Sequence, residues 1–130
     1  SSALATDGVS LPLDACDPLQ VEAAVKQIFA DFGRLDAVVV AVGSIFLKPL
    51  HATTPEQFTE TVNANLLPAF HALRSAIPGM MRQKSGRFVL FSSAAANVGM
   101  ANHGAIAAAK SAVEGLALAA SSTYAKRSST

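Results

Sequence analysis

The sequence predicts an α/β fold with a parallel sheet, and three observations lead to this prediction. Short apolar runs alternate three times with segments whose apolar residues recur at helical spacing. The first two helical segments open with residues typical of helix N-termini. The central apolar run, residues 37–42, lacks polar alternation, which is typical of a parallel strand covered on both faces. Three consecutive β-α units with right-handed crossovers are therefore expected.

The first unit is predicted as a strand over residues 9–13 and a helix that starts at Asp17. Asp17 is a favourable N-cap, Pro18 suits the first helical position, and Gln20 is placed to close a capping box. Apolar residues then follow at spacings of three and four. Gly33 is expected to end the helix, because glycine adopts the left-handed backbone conformation of a helix C-terminus at the lowest energetic cost.

The second unit combines the strand over residues 37–42 with a helix that begins after Thr54. Thr54 and Gln57 have the spacing of a capping box, and apolar residues again recur at helical intervals. Pro68 and Pro78 are positions where this helix could kink or end, since proline lacks the N–H of the helical hydrogen bond.

The third unit is a strand over residues 87–91 and a last helix from about residue 102 to about residue 124. The polar tail after that helix is expected to fray. One partial domain over residues 1–130 is expected, with about residues 9–125 structured.

Composition restricts the function. The chain has 130 residues, 51% of them hydrophobic and 15% charged, which suffices for one modest core and excludes disorder as the main state. A net charge of +1 makes nucleic acid and acidic lipid poor partners. The single cysteine, Cys16, cannot form an internal disulfide, and no apolar run approaches the ~18 residues of a membrane span. A cytoplasmic protein is expected. His51 and His71 are expected at the surface or half-buried, and no ligand spacing indicates a metal site.

Candidate binding residues follow the predicted strands, because ligands of parallel α/β sheets bind beyond the carboxyl ends of the strands. Asp14 and Ala15 follow the first strand, and the Asp14 carboxylate could accept a hydrogen bond from a base amino group. Gly43 follows the second strand and would let a ligand approach the backbone closely. Ser93 follows the third strand and could donate to a carbonyl; alternatively, it satisfies backbone groups at the strand end.

In order and spacing, several segments resemble the short-chain dehydrogenase/reductase family. The similarity runs from about residue 9 to about residue 125, and each segment alone would be weak. The segments are Leu13-Asp14-Ala15-Cys16-Asp17-Pro18, Phe32-Gly33-Arg34-Leu35-Asp36-Ala37-Val38-Val39, Asn63-Ala64-Asn65-Leu66, Ala76-Ile77-Pro78-Gly79-Met80-Met81, Gly86-Arg87-Phe88-Val89-Leu90-Phe91-Ser92-Ser93 and Ala107-Ala108-Ala109-Lys110-Ser111-Ala112-Val113-Glu114-Gly115-Leu116.

The resemblance implies a Rossmann-like fold. It also implies an enzyme that transfers hydride between NAD or NADP and a small carbonyl or alcohol substrate. It implies that Asp14 and the backbone of Ala15 contact the adenine, and that Gly43 closes the turn beside the adenosine ribose. Lys110 would bind the nicotinamide ribose.

For catalysis, the resemblance implies that Ser93 orients the substrate oxygen and that Asn65 holds Lys110 through a water molecule. Lys110 would lower the pKa of a tyrosine. The family's tyrosine lies four residues before the lysine and thirteen after the serine, and this chain has Ile106 there. Isoleucine has no proton to donate, and a general acid contributes typically about 10²–10⁴-fold. Tyr124 lies about 18 residues further on, roughly 27 Å along a straight helix.

Two further features of the sequence bear on the site. His103, three residues before Ile106, could act as a substitute acid, since imidazole titrates in the required range; the alternative is an exposed histidine at a helix start. In addition, the chain has Val40-Ala41-Val42-Gly43 where the family usually has Asn-Asn-Ala-Gly, so polar side chains beside the strand are lost.

The resemblance also predicts a portion truncated at both ends. The family's glycine-rich phosphate loop is expected before residue 9, and its closing strand and substrate loop after residue 130. In the family's strand order, two strands separate residues 9–13 from residues 37–42, so the first strand would pair elsewhere, detach, or leave a gap that another chain fills. All three helices would cover one sheet face, and a homo-oligomer is expected through the bare face or through the two long helices.

These observations predict an NAD(P)-dependent oxidoreductase by family, catalytically impaired in the chain as given. The alternative is a non-catalytic truncated homologue that serves as an oligomerising or binding module. The substrate and the choice between NAD and NADP stay open, because the residues that decide them fall outside the matched segments.

Overall fold

In the computed structural model of the chain, residues 8–91 and 100–124 are described. The elements are α1 (Pro18–Phe32), β1 (Ala37–Val40), a 3₁₀ turn (Leu50–Ala52), α2 (Pro55–Gln83), β2 (Arg87–Leu90) and α3 (Gly104–Tyr124).

β1 and β2 form a parallel two-stranded sheet, with Val38 opposite Phe88 and Val40 opposite Leu90. Helix α2 connects them, as the predicted β-α-β unit requires. The α/β class is therefore confirmed. Both strands are shorter than predicted, since the sheet pairing stops at Val40 and Leu90.

The predicted strand over residues 9–13 is wrong. Residues 8–14 form no regular structure, and the one sheet in the described residues contains β1 and β2 alone. Val9 and Leu13 are largely exposed. A strand exists only through its ladder of hydrogen bonds, and no neighbouring strand is in place beside these residues. The structure therefore excludes pairing of these residues with β1 or β2.

Local capping determines where α1 begins and ends. The Asp17 carboxylate accepts from the N–H of Leu19 at 3.0 Å and of Gln20 at 3.4 Å, and Gly33 ends the helix at a φ of 77°. The predicted capping box does not close, because the Asp17 N–H donates instead to the Asp14 carbonyl. Gln20 Oε1 accepts from the Asp14 N–H at 2.7 Å. In α2, by contrast, Thr54 and Gln57 form the complete box.

Helix α2 continues through both internal prolines, so of the two predicted effects, a kink or an end, neither proline ends the helix. Pro68 is fully buried, and Ala69, Leu73 and Ala76 beside it belong to the core. Each proline removes one helical hydrogen bond. Packing of α2 against α1 on one side and α3 on the other outweighs that loss, because tertiary packing supplies most of the stability of protein helices.

Within residues 8–91 and 100–124, the sheet is covered on one face only. Along both strands, exposed and half-buried residues alternate, and Val39 and Val89 on the open face are 59% and 46% exposed. Because right-handed crossovers place successive helices on the same side, α2 and α3, which contact β1 and β2, lie on the other face, and α1 packs on α2. Among the described residues, no helix combines the length and apolarity needed to cross a membrane.

Candidate functional site

Gly43, Asn65 and Lys110 meet beyond the carboxyl end of β1; we call these three residues the Gly43 cluster. They come from the loop after β1, from α2 and from α3. A Cβ atom placed on Gly43 would overlap Asn65 Oδ1 and would lie 3.4 Å from Lys110 Nζ. Only a residue without a side chain fits this position, because the Asn65 amide packs directly against the Gly43 backbone.

The buried amide of Asn65 holds this loop in place. Asn65 is 3% exposed, and its Oδ1 accepts from the Ser44 N–H at 3.2 Å. Its Nδ2 donates to the carbonyls of Ser44 at 3.1 Å and Thr61 at 2.8 Å. Both amide hydrogens and the oxygen are thus used within the protein. The amide oxygen has a second lone pair, so it can also accept from the water molecule of the predicted link to Lys110.

Lys110 brings a positive charge to the cluster. It is half-buried on α3, and within the described part of the chain its ammonium makes no hydrogen bond or ion pair. An ammonium group carries three donor hydrogens. Such a group can donate to hydroxyl or phosphate oxygens.

A second feature is the turn of residues 14–17, in front of α1. The Asp14 carbonyl accepts from the Asp17 N–H at 3.0 Å, and Asp14 Oδ1 accepts from the Cys16 N–H at 2.9 Å. Asp14 is exposed, so its carboxylate can still reach a ligand. The carbonyl of Ala15 lies 2.9 Å from Nδ1 of His71 and is occupied by it. The Ala15 N–H is the backbone group that remains for a ligand.

Cys16 contributes no nucleophile to this turn. Its Sγ lies 3.9 Å from the Asn63 carbonyl, and burial first, then the nearby Asp14 charge, raises the pKa of the thiol. Thiolate is the reactive form, so the raised pKa lowers the reactive fraction of this cysteine.

Ile106 is buried and apolar at the position of the family's tyrosine. It is 6% exposed, one helical turn before Lys110 on α3. His103 Nδ1 lies 2.7 Å from the Ala101 carbonyl, and because a carbonyl can only accept, this nitrogen donates its hydrogen to the neighbouring loop. Tyr124 ends α3 at the far side from the cluster. The structure therefore places no tyrosine beside Lys110 on this helix.

Ser93 lies outside the described residues, and its predicted role stays a prediction. In residues 8–91 and 100–124, no group of three or more His, Cys, Asp and Glu side chains is placed to hold a metal ion.

Sequence reasoning misplaced His71, which was expected at the surface or half-buried. The residue is 7% exposed and binds the Ala15 carbonyl. Its spacing held a signal: Asn65, Pro68 and His71 follow one another at intervals of three along α2, and all three are buried.

Comparison with known proteins places the chain in a family. The sequence profile described as short chain dehydrogenase matches residues 2–128, and the chain belongs to this family. Hydroxynaphthalene reductase arp2 of Aspergillus fumigatus is 34% identical over 113 residues, which are 87% of this chain and 41% of the relative. The 3-oxoacyl-[acyl-carrier-protein] reductase FabG of Staphylococcus aureus is 28% identical over 121 residues, 93% of this chain and 49% of the relative.

Solved structures agree on the fold. A short-chain dehydrogenase from Streptomyces avermitilis superposes with a TM-score of 0.89 at 22% identity, over 98% of this chain and 47% of the other. The structure described as ElxO with NADP bound has a TM-score of 0.85 at 28% identity, over 88% of this chain and 47% of the other. The Rossmann-like class is thereby confirmed. The chain spans about half the length of the relatives that it matches.

Proposed function

We propose that this chain forms the adenosine and ribose side of an NAD(P) site in an oxidoreductase of the short-chain type, with a small carbonyl or alcohol as substrate. The observation that carries the proposal is the meeting of Gly43, Asn65 and Lys110, which lie up to 67 positions apart in the sequence, at one point beyond β1. The family membership and the NADP-bound neighbour support it.

The residues present fit such a cofactor. The absence of a side chain at Gly43 lets Asn65 and Lys110 approach the loop after β1, which brings the Lys110 ammonium to the carboxyl end of the strand. Lys110 offers its ammonium hydrogens to ribose hydroxyls, and Asp14 offers an acceptor to the adenine amino group. Asn65 keeps the Ser44 backbone in position while these contacts form. When bound, the cofactor supplies or accepts the hydride.

With Ile106 in place, the site can bind a ligand, but the side chain at position 106 cannot transfer a proton. Its buried apolar side chain offers no hydrogen to a developing alkoxide. The same observation favours the second candidate function, a non-catalytic binding module. Ser93 and Asn65 are proposed to orient a substrate oxygen and to position the lysine in either case.

Titration of the full chain with NADPH and with NADH, followed by nicotinamide fluorescence, tests cofactor binding. We expect micromolar binding, and Lys110→Met should weaken it about tenfold or more, because a charge-assisted hydrogen bond is worth about 1.5–3 kcal/mol. Lys26→Met is the matched control, since Lys26 lies on the exposed face of α1 in a pair with Glu22. No binding at millimolar cofactor, or equal effects of the two variants, would refute the proposal.

A second experiment separates the enzyme from the binding module. Ile106→Tyr and Ile106→Phe introduce the same ring at a buried position, and only the first adds a hydroxyl. With NADPH and ethyl acetoacetate as a 3-oxo probe, the enzyme hypothesis expects the tyrosine variant to reduce the ketone about 10²–10⁴ times faster than the phenylalanine variant. Equal rates would favour the non-catalytic module.

We also propose that the chain associates with a second copy of itself in the cytoplasm. Support comes from Val39 and Val89 on the open sheet face, and from a cleft of about 750 Å³ between α2 and α3 that Leu73, Ile77 and Leu116 help to line. The single cysteine is consistent with a reducing compartment. Sedimentation velocity at micromolar concentration should show a dimer or larger species. A well-folded monomer would contradict association.

A further inference from the structure

Within the described residues, one side-chain hydrogen bond with a nitrogen or oxygen donor joins the turn of residues 14–17 to α2. His71 makes this bond. Its Nδ1 lies 2.9 Å from the Ala15 carbonyl, across 56 positions of sequence. A carbonyl oxygen can only accept, so Nδ1 carries the hydrogen and donates it. The ring is 7% exposed, which protects this bond from competition by water.

The other polar contacts of the turn determine its shape, but they do not determine its position relative to α2. The bonds from Asp17 to Asp14, from Cys16 to Asp14 and from Asp14 to Gln20 all close within seven residues of chain. The thiol of Cys16 reaches the Asn63 carbonyl at 3.9 Å, and a thiol is a weak donor.

No sheet supports the turn either. Residues 8–14 belong to no strand, so the turn does not follow the end of a paired strand, as the predicted topology would have it. α1 packs through apolar side chains: the Phe29 ring meets Gly79 of α2 near the last turn of α1, and Val21 is buried in its first turn, but neither side chain offers a hydrogen bond to residues 14–17.

Helix α2 thus supports both loops of the candidate site. Asn65 holds the Ser44 backbone after β1, and six residues later, about 9 Å along the helix, His71 holds Ala15. We propose that His71 is a positioning residue that sets the place of the 14–17 turn relative to the Gly43 cluster, and thereby the fit of the adenosine half of a dinucleotide. This inference rests on the proposed function of the site.

Two substitutions separate the hydrogen bond from the bulk of the ring. Asn Nδ2 lies at a similar distance from the backbone as His Nδ1 and can donate, whereas leucine fills a similar volume without a donor. We expect His71→Leu to weaken NADPH binding about three- to tenfold, the range of one lost hydrogen bond, and His71→Asn to bind within twofold of the unmodified chain.

Binding of reduced nicotinamide mononucleotide, which lacks the adenosine half, separates the positioning role from a merely structural role of His71. Its binding should be the same in all three proteins, because Lys110, the proposed contact of the nicotinamide ribose, is unchanged. If His71→Leu weakens both nucleotides equally, or neither, the positioning role is refuted.

Amide hydrogen exchange of the full chain, measured by NMR, tests the role without any cofactor. In His71→Leu, the N–H groups of Cys16 and Asp17 should exchange at least threefold faster, while the N–H of Gly33, which donates to the Phe29 carbonyl, should be unchanged. In His71→Asn, all three should exchange at the original rates. If the unmodified chain binds neither nucleotide, the proposed function falls and this exchange pattern alone decides whether His71 positions the turn; unchanged rates in His71→Leu would overturn the inference.

Discussion

Replacing Asn65 by leucine removes the amide that fastens the loop after β1 to helix α2. Three hydrogen bonds are lost, at 3.2 and 3.1 Å to Ser44 and at 2.8 Å to the Thr61 carbonyl. Each is worth about 0.5–1.5 kcal/mol net. The Thr61 carbonyl keeps its partner within the helix, and Ser44 is exposed enough to bind water. The two bonds between elements dominate, so the free energy of unfolding should fall by about 1–3 kcal/mol.

Asn63→Leu is the matched control. It makes the same chemical change two residues away on the same helix, at an exposed position. Substitutions at such sites stay within about 0.5 kcal/mol. The Asn63 carbonyl near Cys16 belongs to the backbone and is retained.

Urea unfolding followed by far-ultraviolet circular dichroism measures both variants, since the chain has no tryptophan to report by fluorescence. The reasoning requires a lower midpoint with an unchanged slope for Asn65→Leu. Equal stability of the two variants, within about 0.5 kcal/mol, would show that the buried amide does not hold the loop.

Two further predictions concern helix packing and the thiol. Gly79→Ala should be less stable than Gly115→Ala by about 1–3 kcal/mol: both gain helix propensity, but a Cβ on Gly79 overlaps the Phe29 ring, whereas Gly115 has open space. Adding Phe29→Leu should remove this difference in stability between the two variants. If urea titrations show that the difference persists, this packing is contradicted. Because the pKa of Cys16 is raised, its thiolate fraction at pH 8 is lower than in the unfolded chain, and iodoacetamide should label the folded protein more slowly. Asp14→Asn should restore only part of the rate, since burial is the larger cause; full restoration would assign the shift to charge instead.

Helix limits were predictable because their signals are local. Asp17, Gly33 and the Thr54–Gln57 box act within one turn of the backbone, and the structure uses each of them at a helix end. The capping box at Asp17 failed for an equally local reason, since the Asp14 carbonyl took the N–H that Gln20 would have bonded.

The strand over residues 9–13 was not predictable from its own residues. Its apolar pattern suits a strand, but a strand needs a partner for its hydrogen bonds, and pairing is a property of the sheet. The continuity of α2 through Pro68 and Pro78 has the same origin, because it depends on contacts with α1 and α3 that no local pattern contains.

For the candidate site, the resemblance to the family indicated Gly43, Asn65 and Lys110 separately, and the structure shows that they meet. It could not indicate His71, whose role depends on where the turn of residues 14–17 lies against α2.

The sequence by itself determined the α/β class, the family, the helix ends and the absence of a proton donor at Ile106, since these depend on residue identity and on spacings of a few positions. Only the tertiary structure decided that residues 8–14 stay outside the sheet, that one sheet face is open, and that α2 holds both loops of the site. The physical reason is that hydrogen-bond ladders and buried polar contacts form between distant segments, and their free energy depends on what the rest of the chain places beside them.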